Sequence, residues 1–226
     1  MAQEIYPIRS SINTFYLIRD KGAVLFDAGY INGASVFREK IDNLGISPEE
    51  IKLIILSHGD FDHVGGAGEL REMTGAKIAI HEKDRRYLEE GIFHWAKGVT
   101  PWGKISRASL KPVMMKKAGF PGIKADIVLE DDEFSLEPYG IHGKVVYTPG
   151  HTMGSVSILL DSGEAMVGCL AHNRFPFTTK PKLPIYADDL ELLKKSWTKV
   201  IESGATTIYP GHGQPFPLKR IVQYLN

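Results

Sequence analysis

The chain has 226 residues, 43% of them hydrophobic and 24% charged, with 27 Lys+Arg balanced by 27 Asp+Glu. This is globular composition, long enough to bury roughly 70% of the unfolded surface without disulfides, and it excludes a disordered or low-complexity chain. Zero net charge gives no basic footprint for nucleic acid or an anionic membrane, and no apolar run approaches the ~20 residues that span a bilayer. The amino terminus lacks a basic stretch followed by an apolar core, so the expectation is a cytoplasmic protein whose one cysteine, Cys169, stays reduced.

In chain order, 14–18 and 23–26 are apolar runs flanking a polar turn and predict a β-hairpin. Val36, Phe37 and Ile41 recur at helical spacing and predict a helix over 34–44. Ser47, Pro48 and Glu50 form a capping-box pattern before a buried strand over 52–57. That strand empties into His58-Gly59-Asp60-Phe61-Asp62-His63, after which come a helix (67–73), a strand (77–80) and a helix (82–90).

The second half predicts strands at 144–147, 156–160 and 165–167. An amphipathic helix (188–203), a strand (206–209) and a closing helix (218–225) follow. Two β-rich halves, each adding helices late, predict two sheets packed face to face with helices outside. We read 1–226 as a single domain of two related halves, interrupted by a helical or looped insertion at 91–124. The insertion holds Phe93, Trp95, Trp102 and Phe120, and these side chains offer either a cover for a site or a homodimer contact.

Four clusters carry the chemistry: His58-Gly-Asp60-Phe-Asp62-His63, Pro149-Gly150-His151, Gly168-Cys169 and Pro210-Gly211-His212-Gly213. Each falls where a predicted strand meets a glycine-containing turn, so rigid strands aim the side chains. Together they offer four imidazoles, two carboxylates and one thiolate, enough donors for two adjacent metal ions. Residues two apart, such as His58, Asp60 and Asp62, point the same way only on an extended loop. Any one of them alone is an ordinary turn, cap or core residue; their joint placement is the signal. His172 follows Cys169 by three and belongs to the same rim, whereas His81, His94 and His142 have no such support.

These motifs, with Thr148-Pro-Gly-His151-Thr-x-Gly154-Ser155 and Leu25-Phe-Asp27-Ala-Gly29, resemble the metallo-β-lactamase superfamily nearly end to end. The resemblance implies an α/β fold, an αββα four-layer sandwich of two mixed sheets with outer helices. It places His58, Asp60 and His151 on one metal and Asp62, His63 and His212 on a second, with Cys169 bridging both or serving the second. Asp27 matches a position that steadies a ligand. Two positions depart from the commonest pattern. Asp60 stands where histidine is usual and resembles the carboxylate of flavodiiron proteins; Cys169 stands where aspartate is usual and resembles zinc β-lactamases.

Asp60, Asp62 and a Cys169 thiolate bring three negative charges, which favours iron, with manganese as another alternative; thiolate softness favours zinc, our expectation. The resemblance implies a hydrolase in which a metal-bridging hydroxide cleaves an ester, thioester, lactone or lactam of a small molecule, with Asp62 orienting the nucleophile and passing a proton. Trp95 from the insertion and His172, Asn173, Arg174 and Phe175 after Cys169 are the expected substrate contacts. The alternatives are a non-heme iron redox enzyme and a catalytically silent ligand sensor that retains the metal.

Overall fold

Alternation decides the first sheet. Strand β2 (Asn13–Arg19) is buried on both faces, and it pairs antiparallel with β1 (Glu4–Ser10) on one side and β3 (Ala23–Phe26) on the other. Helix α1 (Gly33–Leu44) leads to β4 (Ile51–Ile55), parallel to β3. Helices α2 (Phe61–Val64) and α3 (Ala67–Thr74) precede β5 (Lys77–His81). Then α4 (Glu82–Glu90) and α5 (Pro101–Lys117) precede β6 (Ile127–Leu129). Strands β4, β5 and β6 are parallel, and the sheet runs in the order β1-β2-β3-β4-β5-β6.

The second sheet holds β7 (Phe134–Ser135), β8 (Gly143–Tyr147), β9 (Val156–Leu160) and β10 (Glu164–His172), joined after α6 (Leu190–Glu202) by β11 (Thr207–His212) and β12 (Phe216–Pro217). Its order is β12-β11-β10-β9-β8-β7, parallel only between β10 and β11. Helix α7 (Lys219–Val222) follows. This computed structural model describes residues 3–10, 13–117, 119–174, 178 and 180–225, with backbone only at 113–117.

Period-two alternation sends neighbouring side chains into different layers. Phe15, Leu17 and Leu25 meet Phe37 and Ile41 of α1, Leu70 of α3 and Leu88 of α4 on the outer face. Tyr16, Ile18, Val24, Phe26, Leu53 and Ile55 instead meet Val145, Val156, Ile158 and Leu160 between the sheets. Leu193, Trp197 and Val200 of α6 cover Val146, Leu159, Val167 and Ile208 on the far side. Two mixed sheets with helices outside are the four layers expected.

Several expectations need correction. Strand β1 is absent from the sequence reading; Pro7 and outward side chains break its apolar pattern, and pairing with β2 makes the strand. Strand β10 does not end at Val167. It passes through Gly168 with two register shifts and runs on to His172, so Cys169 lies inside a strand and not at a loop tip. The loop after His58 is not extended throughout, because α2 carries Asp62 and His63 on a helical turn. The closing helix is confined to α7, four residues against the eight expected.

Candidate metal centre

Each donor is placed by an element that already exists for packing reasons. Beyond β4, Ser57 N–H donates to Asp27 Oδ1 at 2.7 Å and fixes the start of the His58 segment. Asp60 keeps extended backbone (φ −73°, ψ 140°) as the N-cap of α2, and the turn that follows swings Asp62 and His63 away from it. The His151 loop is closed by Thr148 N–H donating to the Ser155 carbonyl at 2.9 Å. Gly168 has φ +50°, and a Cβ there would come within 2.9 Å of Ser57. Only glycine lets β10 pass this close and present Cys169. Gly211 does the same for β11: a Cβ would stand 2.6 Å from His63 Cε1.

The seven donors separate into two sets that share one atom. His58, His151 and Cys169 offer ligand atoms within 4.8 Å of one another, and so do His63, Cys169 and His212. Asp60 Oδ2 lies 3.2 Å from His151 Nε2 and 3.5 Å from His58 Nε2. Asp62 Oδ2 lies 3.4 Å from His212 Nε2 and 3.8 Å from His63 Nε2. His63 Nε2 is 3.3 Å from both His212 Nε2 and Cys169 Sγ. The turn at α2 therefore sends Asp60 to one set and Asp62 to the other.

These spacings fit a cation. Tetrahedral N and S donors about 2.0–2.3 Å from one ion stand about 3.3–3.6 Å apart. Three imidazoles are also oriented for ligation. His63 Nδ1 meets Asp27 Oδ2 at 2.7 Å, His58 Nδ1 meets Ser57 Oγ at 2.7 Å, and His151 Nδ1 meets the Tyr186 carbonyl at 3.0 Å. Held through Nδ1, each ring turns Nε2 inward. Among the described residues, His58 Nε2 and Asp60 Oδ1 are buried with no hydrogen-bond partner, a costly arrangement that an ion would relieve.

The electrostatics say the same. Burial alone would lower the His63 pKa, but the Cys169 thiolate, Asp27 and Asp62 outweigh it and hold the imidazole well above its ordinary value. His151 is likewise raised, by Cys169 and Asp60 acting against burial, and His58 and His212 are raised in the same way. Burial pushes the Cys169 thiol up, yet four facing imidazoles bring it well below its usual range. His151 and His58 overcome burial to keep Asp60 ionised. The acids and thiolate demand positive charge, which protons or cations supply.

Five of the seven donors, Asp60, Asp62, His151, Cys169 and His212, line a cavity of about 280 Å³, whereas His58 and His63 are fully buried and do not line it. His172 and Trp95 line it; burial pushes the His172 pKa down to about 4, so this imidazole is neutral. Asn173 and Arg174 are not part of the lining. Asn173 instead joins the strand ends, its amide donating to the Gln214 carbonyl and accepting from Gln214 N–H. The Arg174 carbonyl accepts from Thr178 N–H, and Phe175 lies outside the described residues.

Two contributors escaped the sequence reading. Asp84, in the first turn of α4, accepts from Gly59 N–H (2.8 Å), Thr152 Oγ1 (2.6 Å) and Gly154 N–H (2.9 Å), and so ties the His58 and His151 loops together. His94 lines the cavity with Nε2 held 3.1 Å from Asp188. Their sequence context is that of an ordinary helix start and an ordinary loop histidine.

The fold and the paired donor sets define a metal-binding sandwich of the β-lactamase type. The family model described as the metallo-beta-lactamase superfamily matches residues 8–212, and the chain belongs to that superfamily, whose fold implies divalent metal binding. A probable metallo-hydrolase of Methanocaldococcus jannaschii is 26% identical over 203 residues, 88% of this chain and 86% of that protein. The hydroxyacylglutathione hydrolase GloC of Haemophilus influenzae is 27% identical over 164 residues, covering 69% of this chain and 65% of that one. A probable metallo-hydrolase of Bacillus subtilis is 24% identical over 156 residues, and the match spans 63% of its length. Among solved structures, the B3 metallo-β-lactamase BLEG-1 superposes with a TM-score of 0.71 at 21% identity, covering 96% of this chain and 95% of that one. None of the described helices is long and apolar enough to cross a membrane.

Proposed function

We propose that the chain is a metal-dependent hydrolase of a small-molecule ester, thioester, lactone or lactam. In this reading two divalent cations are held by His58, Asp60 and His151 and by Asp62, His63 and His212, with Cys169 facing both sets. The observation that carries it is the convergence of oriented Nε2 atoms and the Cys169 sulfur in two donor sets, of which Asp60, Asp62, His151, Cys169 and His212 line one cavity. The names of the relatives, metallo-hydrolases and a hydroxyacylglutathione hydrolase, support hydrolysis, and the thiolate supports zinc.

Bound there, divalent cations acidify water and polarise a carbonyl. The chain supplies the rest. Asp62 lines the cavity and bears a carboxylate that orients the attacking water and carries a proton to the leaving group. The His172 ring, 4.8 Å from His212 between ring centres, lines the cavity beside the donors and shapes the space a substrate carbonyl would occupy. Asp27 and Ser57 keep His63 and His58 turned inward throughout.

Protein loaded with zinc is expected to turn over a panel of esters, thioesters and lactones, to lose that activity on chelation and to regain it on zinc addition. Asp62→Asn is expected to lower kcat by about 10²–10⁴-fold, the range of a lost general acid–base. Equal turnover with and without metal would refute the reading. The Asp60 carboxylate in the first set supports a second one, a non-heme iron redox enzyme, with an external electron donor. Elemental analysis and the visible absorption spectrum of protein purified without added metal separate the two.

A further inference from the structure

Above its donors the cavity is almost wholly apolar. Phe61, Phe93, Trp95, Trp102, Leu110 and Ile185 form its walls, and Trp102 and Leu110 are 56% and 50% exposed. The polar exceptions are already engaged: Ser106 Oγ bonds Tyr186 Oη at 2.7 Å, and His94 is paired with Asp188. Trp102, Ser106 and Leu110 are four residues apart and share one face of α5.

This wall is fixed to the metal-ligand loop by backbone. Val99 N–H donates to the Ile185 carbonyl and Ala187 N–H to the Lys97 carbonyl, while Asp188 N–H donates to the carbonyl of His151 itself. Among the described residues no lysine or arginine lines the cavity. Of the insertion's cations, Lys97, Arg107 and Lys111 line a separate cleft behind 93–95, and Arg107 is spent on the carbonyls of Trp95 and Ala96.

We infer that this cavity is the acyl-binding site and that the substrate is an ester or thioester of an uncharged, medium-length acyl group, with Trp102 and Leu110 setting the chain length. The inference rests on the hydrolytic reading above. A cavity of about 280 Å³ accommodates the scissile group at the donors and an acyl chain of several carbons beyond it. Among the described residues, none that lines the cavity offers a cation to a carboxylate or phosphate on that chain, so its desolvation would go uncompensated. An apolar chain covers the exposed Trp102 and Leu110 faces and gains from each methylene removed from water.

The test uses the full chain loaded with zinc and a series of acyl esters from acetyl to dodecanoyl with one leaving group. We expect kcat/KM to rise about threefold per methylene until the chain reaches Trp102 and Leu110 and then level. Butyryl is expected to exceed succinyl by at least about tenfold. Leu110→Trp should lower the decanoyl-to-acetyl ratio at least about tenfold, whereas Ile105→Trp, exposed on the same helix outside the cavity, should leave it as it is. Binding of the uncharged fluorophore N-phenyl-1-naphthylamine, followed in loaded and chelated protein, gives a readout free of turnover. Weaker binding in Leu110→Trp, with no ester cleaved at any length, would sink the hydrolytic reading and leave the apolar site standing. A flat chain-length profile, a preference for succinyl, or fluorophore binding indifferent to Leu110→Trp overturns the assignment.

Discussion

Among the described non-glycine residues, Asp27 alone has positive φ, at 70°. The left-handed region costs a residue with a Cβ about 1–2 kcal/mol, and Asp27 bears it because both carboxylate oxygens are used. One accepts from Ser57 N–H, the other from Ser57 Oγ and His63 Nδ1. Charge-assisted bonds of this kind are each worth about 1.5–3 kcal/mol, which exceeds the strain. Asp27→Asn preserves the shape and removes the charge that sets the His63 tautomer. We expect zinc affinity at the His63, His212 and Cys169 set to fall about 10–100-fold, measured by competition with a chromogenic chelator. Affinity within twofold of the parent would show that Asp27 serves the turn and not the metal.

At the scale of elements, α4 is the brace. Asp84 is 1% exposed and takes three hydrogen bonds from two ligand loops. Asp84→Ala leaves two backbone N–H groups and a hydroxyl without their acceptor, at about 1–3 kcal/mol each. We expect a loss of about 3 kcal/mol or more and a fall in Tm near 10 °C, together with weaker zinc retention, because Gly59 adjoins His58 and Thr152 adjoins His151. A fall in Tm with unchanged retention would confine Asp84 to folding. None of this was legible in the sequence, since hydrogen bonds between residues 25 to 70 positions apart leave no periodic trace. The hairpin β2–β3, α1, α4 and β9 were legible, because burial on one or both faces writes itself as spacing. Strand β10 was half-read: Gly168 looks like a stop, and only the close approach to Ser57 shows that the strand passes through it. The donor types at His58, His151 and His212 stood out for the opposite reason, as chemistry with no packing use at strand ends. Their division into two sets depends on the α2 turn, which four residues are too few to announce.

Over the whole molecule net charge is zero, but charge is gathered at the centre, and its titration governs stability. Consider the protein stripped of metal. Asp60, with its pKa depressed by His151 and His58 against the pull of burial, contributes stability above the ordinary value of 3.8 that is lost as pH falls through its folded value. His172, depressed to about 4 by burial, and the Cys169 thiol, depressed by four imidazoles, act in the same direction. Below pH 6.5 the folded state therefore binds fewer protons than the unfolded one, and stability rises with pH. His58, His63, His151 and His212 are raised, chiefly by Cys169 and the neighbouring acids against burial, except that at His58 and His212 the facing His63 also opposes the rise. Their contribution is complete below 6.5 and is lost as pH climbs through the folded values; four imidazoles outnumber the single thiol, so the folded state now binds more protons. The expected profile of Tm against pH for chelated protein is a peak near 6.5 with a falling alkaline limb. Zinc replaces those protons, so loaded protein should keep its Tm to about pH 9, and the gap between the two curves should widen steadily above 6.5. Scanning calorimetry from pH 4 to 9, with and without chelator, measures both curves. A metal-free Tm still climbing at pH 9 would mean that the thiolate and acids do not hold these imidazoles charged, and that the centre is not organised around a cation.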